Sequence, residues 1–224
     1  LHLSAFGTGS DCRPVRKSVL VRDAGSSTAN LEGLIRKGIL ECISVEVGRL
    51  EVMDNRTEPL NKLSSSQSAV LEAIHNIFSE KDIVLLHGIT SSGKTEIYIH
   101  LIEEQLKSGK QVLYLLPEIA LTTQIILRLQ KHFGPLTGVY HSRFSDQEKV
   151  EIWKRVAEDN PSGGYRLILG VRSSVFLPFS DLGLVIIDEE HDGSYKQHDP
   201  APRYHARDSA IMLAGFHKAK TIMG

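Results

Sequence analysis

Eight consecutive residues, Gly88-Ile89-Thr90-Ser91-Ser92-Gly93-Lys94-Thr95, match the spacing G-x-x-x-x-G-K-[ST] without a mismatch. The chemistry open to such a loop is phosphate binding. Gly88 and Gly93 let the backbone N–H groups around Thr90, Ser91 and Ser92 turn inward on a phosphate chain. The helix that follows adds the partial positive charge of its N-terminus. Lys94 would hold the β- and γ-phosphates and the Thr95 hydroxyl would ligate Mg2+, so the expected ligands are ATP and Mg2+.

A second signature lies further along, where the apolar run Leu184-Val185-Ile186-Ile187 passes directly into Asp188-Glu189-Glu190-His191. A phosphate site needs one carboxylate to hold the cation through its water shell and another to orient or deprotonate an attacking water. Asp188 fits the first role and Glu189 the second. The bland alternative is a solvated acidic loop, an odd way to end so apolar a strand.

Both signatures require a scaffold, and the sequence from residue 63 onward supplies one. Strands are expected at 83–87, 111–116, 138–141, 166–170 and 183–188, with a last strand beginning at 220–224. Helices are expected at 93–107, 119–132, 146–158 and 206–216. Unbroken apolar strands belong to a parallel sheet covered on both faces, which makes this an α/β chain. Asp188 then falls at the C-terminal edge of the sheet, where ligands bind in open α/β folds. Trp153 lies on an amphipathic helix and reads as packing.

Residues 1–62 differ in character. An amphipathic segment at 15–24, a helix start at Ser26-Ser27-Thr28, helical spacing of Leu31, Leu34 and Ile35, and an alternating strand at 39–47 outline a small winged helix-turn-helix α+β unit. Such a unit reads DNA or serves as a packing module. Residues 54–62, with Pro59, are expected to be a linker.

Composition narrows the class without naming a ligand. The chain has 224 residues, 26 Lys and Arg against 27 Asp and Glu, 41% hydrophobic residues and 24% charged ones. These values exclude a disordered tail, a collagen-like fibre and a disulfide scaffold. Residues 1–62 hold nine Lys and Arg against eight Asp and Glu, and residues 63–224 hold 17 against 19, so neither part is a basic platform. Cys12 and Cys42 read as reduced thiols of an intracellular protein. The histidines show no H-E-x-x-H spacing, and no apolar run is long enough to span a membrane. Leu1 at the start and the strand onset at the end are read as marks of a fragment.

The tetrad Asp188-Glu189-Glu190-His191 resembles motif II of superfamily 2 helicases and translocases. Other segments extend the likeness in consecutive order: Leu115-Leu116-Pro117-Glu118-Ile119-Ala120-Leu121-Thr122, His141-Ser142, and Arg172-Ser173. After Asp188 the tract His191-Asp192-Gly193-Ser194-Tyr195-Lys196-Gln197 is joined by Pro202-Arg203-Tyr204-His205-Ala206-Arg207-Asp208. Together they resemble the PriA family of replication-restart DNA helicases (primosomal protein N′). The resemblance implies a RecA-like P-loop NTPase lobe at 63–224, truncated before motif III and the second lobe, preceded by a winged-helix domain and linker at 1–62.

It further implies an ATP-dependent 3′ to 5′ DNA helicase acting in replication restart and primosome assembly, with Lys94, Asp188 and Glu189 catalytic. Gln67 would recognise the adenine edge. Thr122 and Thr123, in motif Ia, would meet a DNA phosphate, although a helix cap would use a threonine equally well. Arg172 is kept, but Val171 replaces the threonine usual before it, which removes a hydroxyl contact. Between 191 and 207, the cations and aromatics His191, Tyr195, Lys196, Arg203, Tyr204 and Arg207 resemble the aromatic-rich loop that couples strand binding to hydrolysis. In the alternative, Tyr204 and His205 cap a core helix.

The implied partners are DNA, as single strand and fork, with other primosome proteins and single-strand-binding protein. Zinc is expected only in a C-terminal region beyond residue 224, and the expected location is the bacterial cytoplasm at the nucleoid. Without the arginines of a second lobe, the chain alone is expected to hydrolyse ATP poorly. Two alternatives stay open: another superfamily 2 motor, or a nucleotide-gated module that binds nucleic acid or protein.

Overall fold

The computed structural model describes residues 2–5, 15–16, 28–37, 39–43, 57–88, 93–158 and 164–224. The chain divides into two compact units, Leu1–Arg49 and Leu50–Gly224.

In the first unit, β1 (His2–Ala5) pairs antiparallel with β2 (Val15–Arg16) on one side and with β3 (Leu40–Ile43) on the other. Helix α1 (Thr28–Arg36) precedes β3. The spacing of Leu31, Leu34 and Ile35 anticipates that helix, and Leu31 is buried. The segment expected to be amphipathic from residue 15 begins instead as a strand. Val15 is β-branched and pairs with Leu3, an extended setting that suits it. Cys12, residues 17–27 and residues 44–56 lie outside the described residues, which therefore do not complete a helix-turn-helix outline.

The linker expected up to residue 62 is, from residue 57, part of the second unit. The Glu58 N–H donates to the Lys131 carbonyl at 2.8 Å, and Asn61 Nδ2 donates to Glu96 Oε1 at 3.3 Å. Beyond it the described residues form the helices α2 (Ser65–Glu80), α3 (Lys94–Lys107), α4 (Thr123–Phe133), α5 (Asp146–Ala157) and α6 (Ala206–His217). Six strands alternate with them: β4 (Ile83–Leu85), β5 (Gln111–Leu115), β6 (Thr137–Tyr140), β7 (Leu167–Gly170), β8 (Leu182–Ile187) and β9 (Lys220–Met223). They form one parallel sheet in the order β4-β9-β8-β5-β7-β6.

Local chemistry explains the helix starts. Ser64 with Gln67, and Ser145 with Glu148, form reciprocal capping boxes for α2 and α5, each satisfying two otherwise orphaned N–H groups. Helix α4 begins at Thr123, later than the expected 119, because the Ala120 and Leu121 N–H groups both turn back to the Pro117 carbonyl.

The central strands β5 and β8 are buried throughout, and their alternating side chains feed two cores. Val112, Tyr114, Leu184 and Ile186 face Ile97, Tyr98 and Ile102 of α3. Leu113, Leu115, Val185 and Ile187 share the other core with Ile152 and Val156 of α5 and with Ala206, Ala210 and Ala214 of α6. The alanines recur every four residues, a spacing that puts them on one side of the helix and lets it lie close to the sheet.

Candidate functional site

Because every strand of the six-stranded sheet runs the same way, the C-terminal ends of β4, β5 and β8 open on one edge of it. The loop after β4 and the acids after β8 both emerge there. Residues 89–92, with Thr90, Ser91 and Ser92, lie outside the described residues, but both ends of the loop are defined. Lys94 Nζ donates to the Gly88 carbonyl at 3.1 Å. Gly93 caps α3 at φ 86° and ψ 17°, a left-handed conformation that glycine adopts without a Cβ penalty. As the N-cap, Gly93 offers the start of α3 no side chain, and the helix N-terminus there carries the partial positive charge that suits an anion.

Gln67 stands beside this helix start. Its Oε1 accepts from the Ser64 N–H at 2.9 Å and its Nε2 donates to the Gly93 carbonyl at 3.3 Å, so one amide joins the cap of α2 to the end of the phosphate loop. Reading an adenine edge would require that amide to exchange these contacts.

Asp188 follows β8 with the same alternation as Leu184 and Ile186, which directs it to the α3 side of the sheet. There the Tyr114 hydroxyl donates to Asp188 Oδ2 at 2.9 Å. From the other core, the Tyr195 hydroxyl lies 2.6 Å from the Asp188 carbonyl and 3.1 Å from the Leu115 carbonyl, tying the ends of β8 and β5 together. Burial raises the Asp188 pKa above the ordinary aspartate value, while the Tyr114 hydrogen bond and the Lys94 charge pull against it. Burial, reinforced by the Asp188 charge, also pushes Tyr114 and Tyr195 upward, so both remain phenols at neutral pH.

The chain turns sharply after Asp188. Glu189 takes φ 48°, an uncommon conformation for a residue with a side chain. Its Oε2 lies 3.8 Å from His191 Nε2. Glu190 Oε2 accepts from Arg207 Nη1 at 2.9 Å, and Arg207 Nε donates to Asp208 Oδ1 at 3.1 Å, so Arg207 is held between two carboxylates.

No group of three or more His, Cys, Asp or Glu side chains placed to hold a metal occurs among the described residues. The donors near the phosphate loop are instead one half-buried, hydrogen-bonded carboxylate, Asp188, and the Thr95 hydroxyl at the start of α3. That sparse oxygen set fits a divalent cation delivered on a nucleotide, which keeps most of its own waters.

The residues expected to meet a nucleic-acid strand fall into three groups. Thr122 and Thr123 are exposed at the start of α4, and Thr122 is its N-cap, with Oγ1 accepting from the Ile125 N–H at 3.5 Å. Arg172 begins a short 3-10 turn at Arg172–Phe176 and donates through Nη1 to the Ser194 carbonyl at 3.3 Å, linking the segments after β7 and β8. Lys196 pairs with His205 across a loop that Gln197 closes through its N–H, which donates to the Tyr204 carbonyl at 2.9 Å, and through its Nε2, which donates to the Pro200 carbonyl at 2.9 Å. Within this loop Arg203 is exposed, as His191 is before it.

Tyr195 is a correction. It is fully buried, so its ring is not available for a base to stack on, and what it offers is its grip on Asp188. An aromatic in a polar segment reads as a surface residue until its depth is known. Sequence reasoning also missed two neighbours. Tyr114 could have been flagged because a phenol in a buried aliphatic strand needs a partner. Phe176, 61% exposed, meets Tyr204 edge to face at 4.9 Å between ring centroids. His205 occupies the N-cap position of α6 but caps it with no side-chain bond.

Comparison with known proteins adds a lineage to this geometry. The family model described as DEAD/DEAH box helicase matches residues 64–222. Replication restart protein PriA of Bacillus subtilis (strain 168) is 41% identical over 210 residues, which is 92% of this chain and 25% of that protein. The protein of the same name from Haemophilus influenzae is 41% identical over 204 residues, 88% of this chain and 27% of its own. That of Chlamydia muridarum is 36% identical over 218 residues, 95% of this chain and 28% of its own. The chain therefore spans about a quarter of the length of these relatives.

Proposed function

The chain belongs to the DEAD/DEAH box helicase family, and we propose that it is the ATP-binding lobe of a DNA helicase that acts in replication restart, moving 3′ to 5′ on a single strand. The observation that best supports this is the convergence of Lys94 and half-buried Asp188 on one sheet edge, in a chain so similar to the PriA proteins. Residues 63–224 act as the RecA-like lobe and the preceding residues as a winged-helix unit.

In this reading the triphosphate lies on the loop at 88–95, against the N-terminus of α3. Lys94 exchanges the Gly88 carbonyl for phosphate oxygens. Gln67 turns its amide from Gly93 to the adenine. Thr95 and Asp188 would hold Mg2+, which would supply charge neutralisation at the phosphates. Glu189, carried out of the strand by its left-handed turn, accepts the proton of the attacking water.

The single strand runs across the exposed start of α4 and the loop after β8. Its phosphates meet Thr122, Thr123, Lys196 and Arg203, and a base stacks near Tyr204. Arg172 and Tyr195 carry the position of that loop back to Asp188, which would make turnover depend on DNA. The same reading places the protein in the bacterial cytoplasm, working with primosome proteins and single-strand-binding protein.

Unwinding assays on the intact protein test the proposal. ATP-dependent opening of forked DNA, with no opening of duplex RNA, is expected. Opening of RNA instead would move the chain to another superfamily 2 motor, and nucleotide-dependent strand binding without opening would make it a nucleotide-gated module.

A further inference from the structure

The strand β5 contains a residue that its surroundings do not call for. All five of its residues are buried, and Tyr114 occupies a position on the α3 side that an aliphatic side chain would fill with no polar atom to satisfy. A buried hydroxyl is costly unless it finds a partner. Here the partner is Asp188 Oδ2 at 2.9 Å, 74 residues away in sequence. The sheet register brings the two together: Tyr114 pairs with Ile186 of β8, and Asp188, two residues on, projects from the same face. The Tyr98 ring packs edge to face against Tyr114 at 5.7 Å and limits its swing.

We propose that Tyr114 is a positioning residue for Asp188: its hydroxyl holds one carboxylate oxygen, fixes the plane of the carboxylate, and so sets the affinity for the divalent cation that accompanies ATP. This rests on the reading of Asp188 as the carboxylate that serves that cation. Asp188 needs such a restraint because it lies just past the end of β8, where Glu189 turns the backbone aside. Tyr195 fixes the Asp188 main-chain carbonyl but leaves the side-chain torsions free. Tyr114 restrains what Tyr195 does not, and the two hydroxyls arrive from opposite cores. Hydrogen bonds that orient a metal-binding carboxylate are typically worth about 10–100-fold in metal affinity or activity.

The test is Tyr114→Phe in the intact protein, which removes the hydroxyl and little else. Mn2+ binding is titrated by electron paramagnetic resonance with saturating ADP, and the cation dependence of DNA-stimulated ATP turnover is measured beside it. The Mn2+ dissociation constant is expected to rise about 10–100-fold. The cation concentration for half-maximal turnover should rise in step, while the affinity for ADP in EDTA stays at the wild-type value. In the Asp188→Asn background, Tyr114→Phe should add no further loss.

A folded Tyr114→Phe protein that binds Mn2+ as the wild type does overturns the proposal. So does an equal loss in both backgrounds, which is the mark of general loosening of the core and decides the matter even if the variant is less stable. A wild type lacking DNA-stimulated turnover would overturn the proposed function instead, and the Mn2+ titration would still read the Tyr114–Asp188 contact.

Discussion

Tyr195→Phe isolates the hydroxyl that ties β8 to β5. The substitution keeps the buried ring and removes one oxygen, which lies 2.6 Å from the Asp188 carbonyl and 3.1 Å from that of Leu115. The Leu115 carbonyl keeps the Asp188 N–H as a donor at 3.1 Å, so the loss falls on Asp188. Leaving a buried carbonyl short of its donor costs about 1–3 kcal/mol. For a protein of this size each kcal/mol moves the melting midpoint by about 2–4 °C, so a fall of about 2–12 °C is expected. Circular dichroism melting measures it. Because the carbonyl belongs to Asp188, proposed above to serve the nucleotide's cation, DNA-stimulated turnover of the intact protein should also fall, on the order of tenfold or more for a small misplacement. A midpoint within a degree of wild type together with unchanged turnover would show that the sheet alone positions Asp188, and the coupling role given to Tyr195 would go with it.

Other consequences follow from the same coordinates. Gly93→Ala puts a Cβ 2.6 Å from Gln67 Nε2 at φ 86°, so left-handed strain of about 1–2 kcal/mol and displacement of the Gln67 amide should weaken nucleotide binding about tenfold, read by ADP titration. Gln111→Leu strips a fully buried amide that donates to the Val156 and Tyr165 carbonyls and accepts from the Ser180 and Asp181 N–H groups, and should cost about 2–4 kcal/mol in urea unfolding. Asp188→Asn should raise stability at neutral pH. With its folded pKa above the unfolded value, Asp188 binds more protons folded than unfolded and so destabilises the fold as pH rises between those two values. The gain from Asp188→Asn should shrink as pH falls toward the ordinary aspartate range, which melting at several pH values checks.

What the sequence made legible was whatever local chemistry determines. Buried parallel strands are aliphatic runs, helices open on Ser and Thr caps, and a phosphate loop needs its glycines at set spacing, so the alternation from residue 63 and the edge that carries Lys94 and Asp188 could be read in advance. Contacts across 74 or more residues could not. Nothing local links Tyr114 to Asp188, or Tyr195 to the Leu115 carbonyl, because those pairings exist only once β5 and β8 lie side by side. The polar company of Tyr195 hid its burial, and the pairing of Val15 with Leu3 exists only once two separate stretches of chain lie side by side. Gln67 shows a third kind of limit: the resemblance singled it out, but the link it makes between the α2 cap and Gly93 depends on how α2 approaches α3.

ATP turnover by the intact protein with Glu189→Gln, in the presence of single-stranded DNA, tests the central claim most directly. Nucleotide and DNA binding should persist while turnover falls by about 10²–10⁴-fold, the loss expected when a general base is removed. Turnover equal to that of the wild type would contradict the assignment of Glu189 and, with it, the reading of this sheet edge as a hydrolytic site.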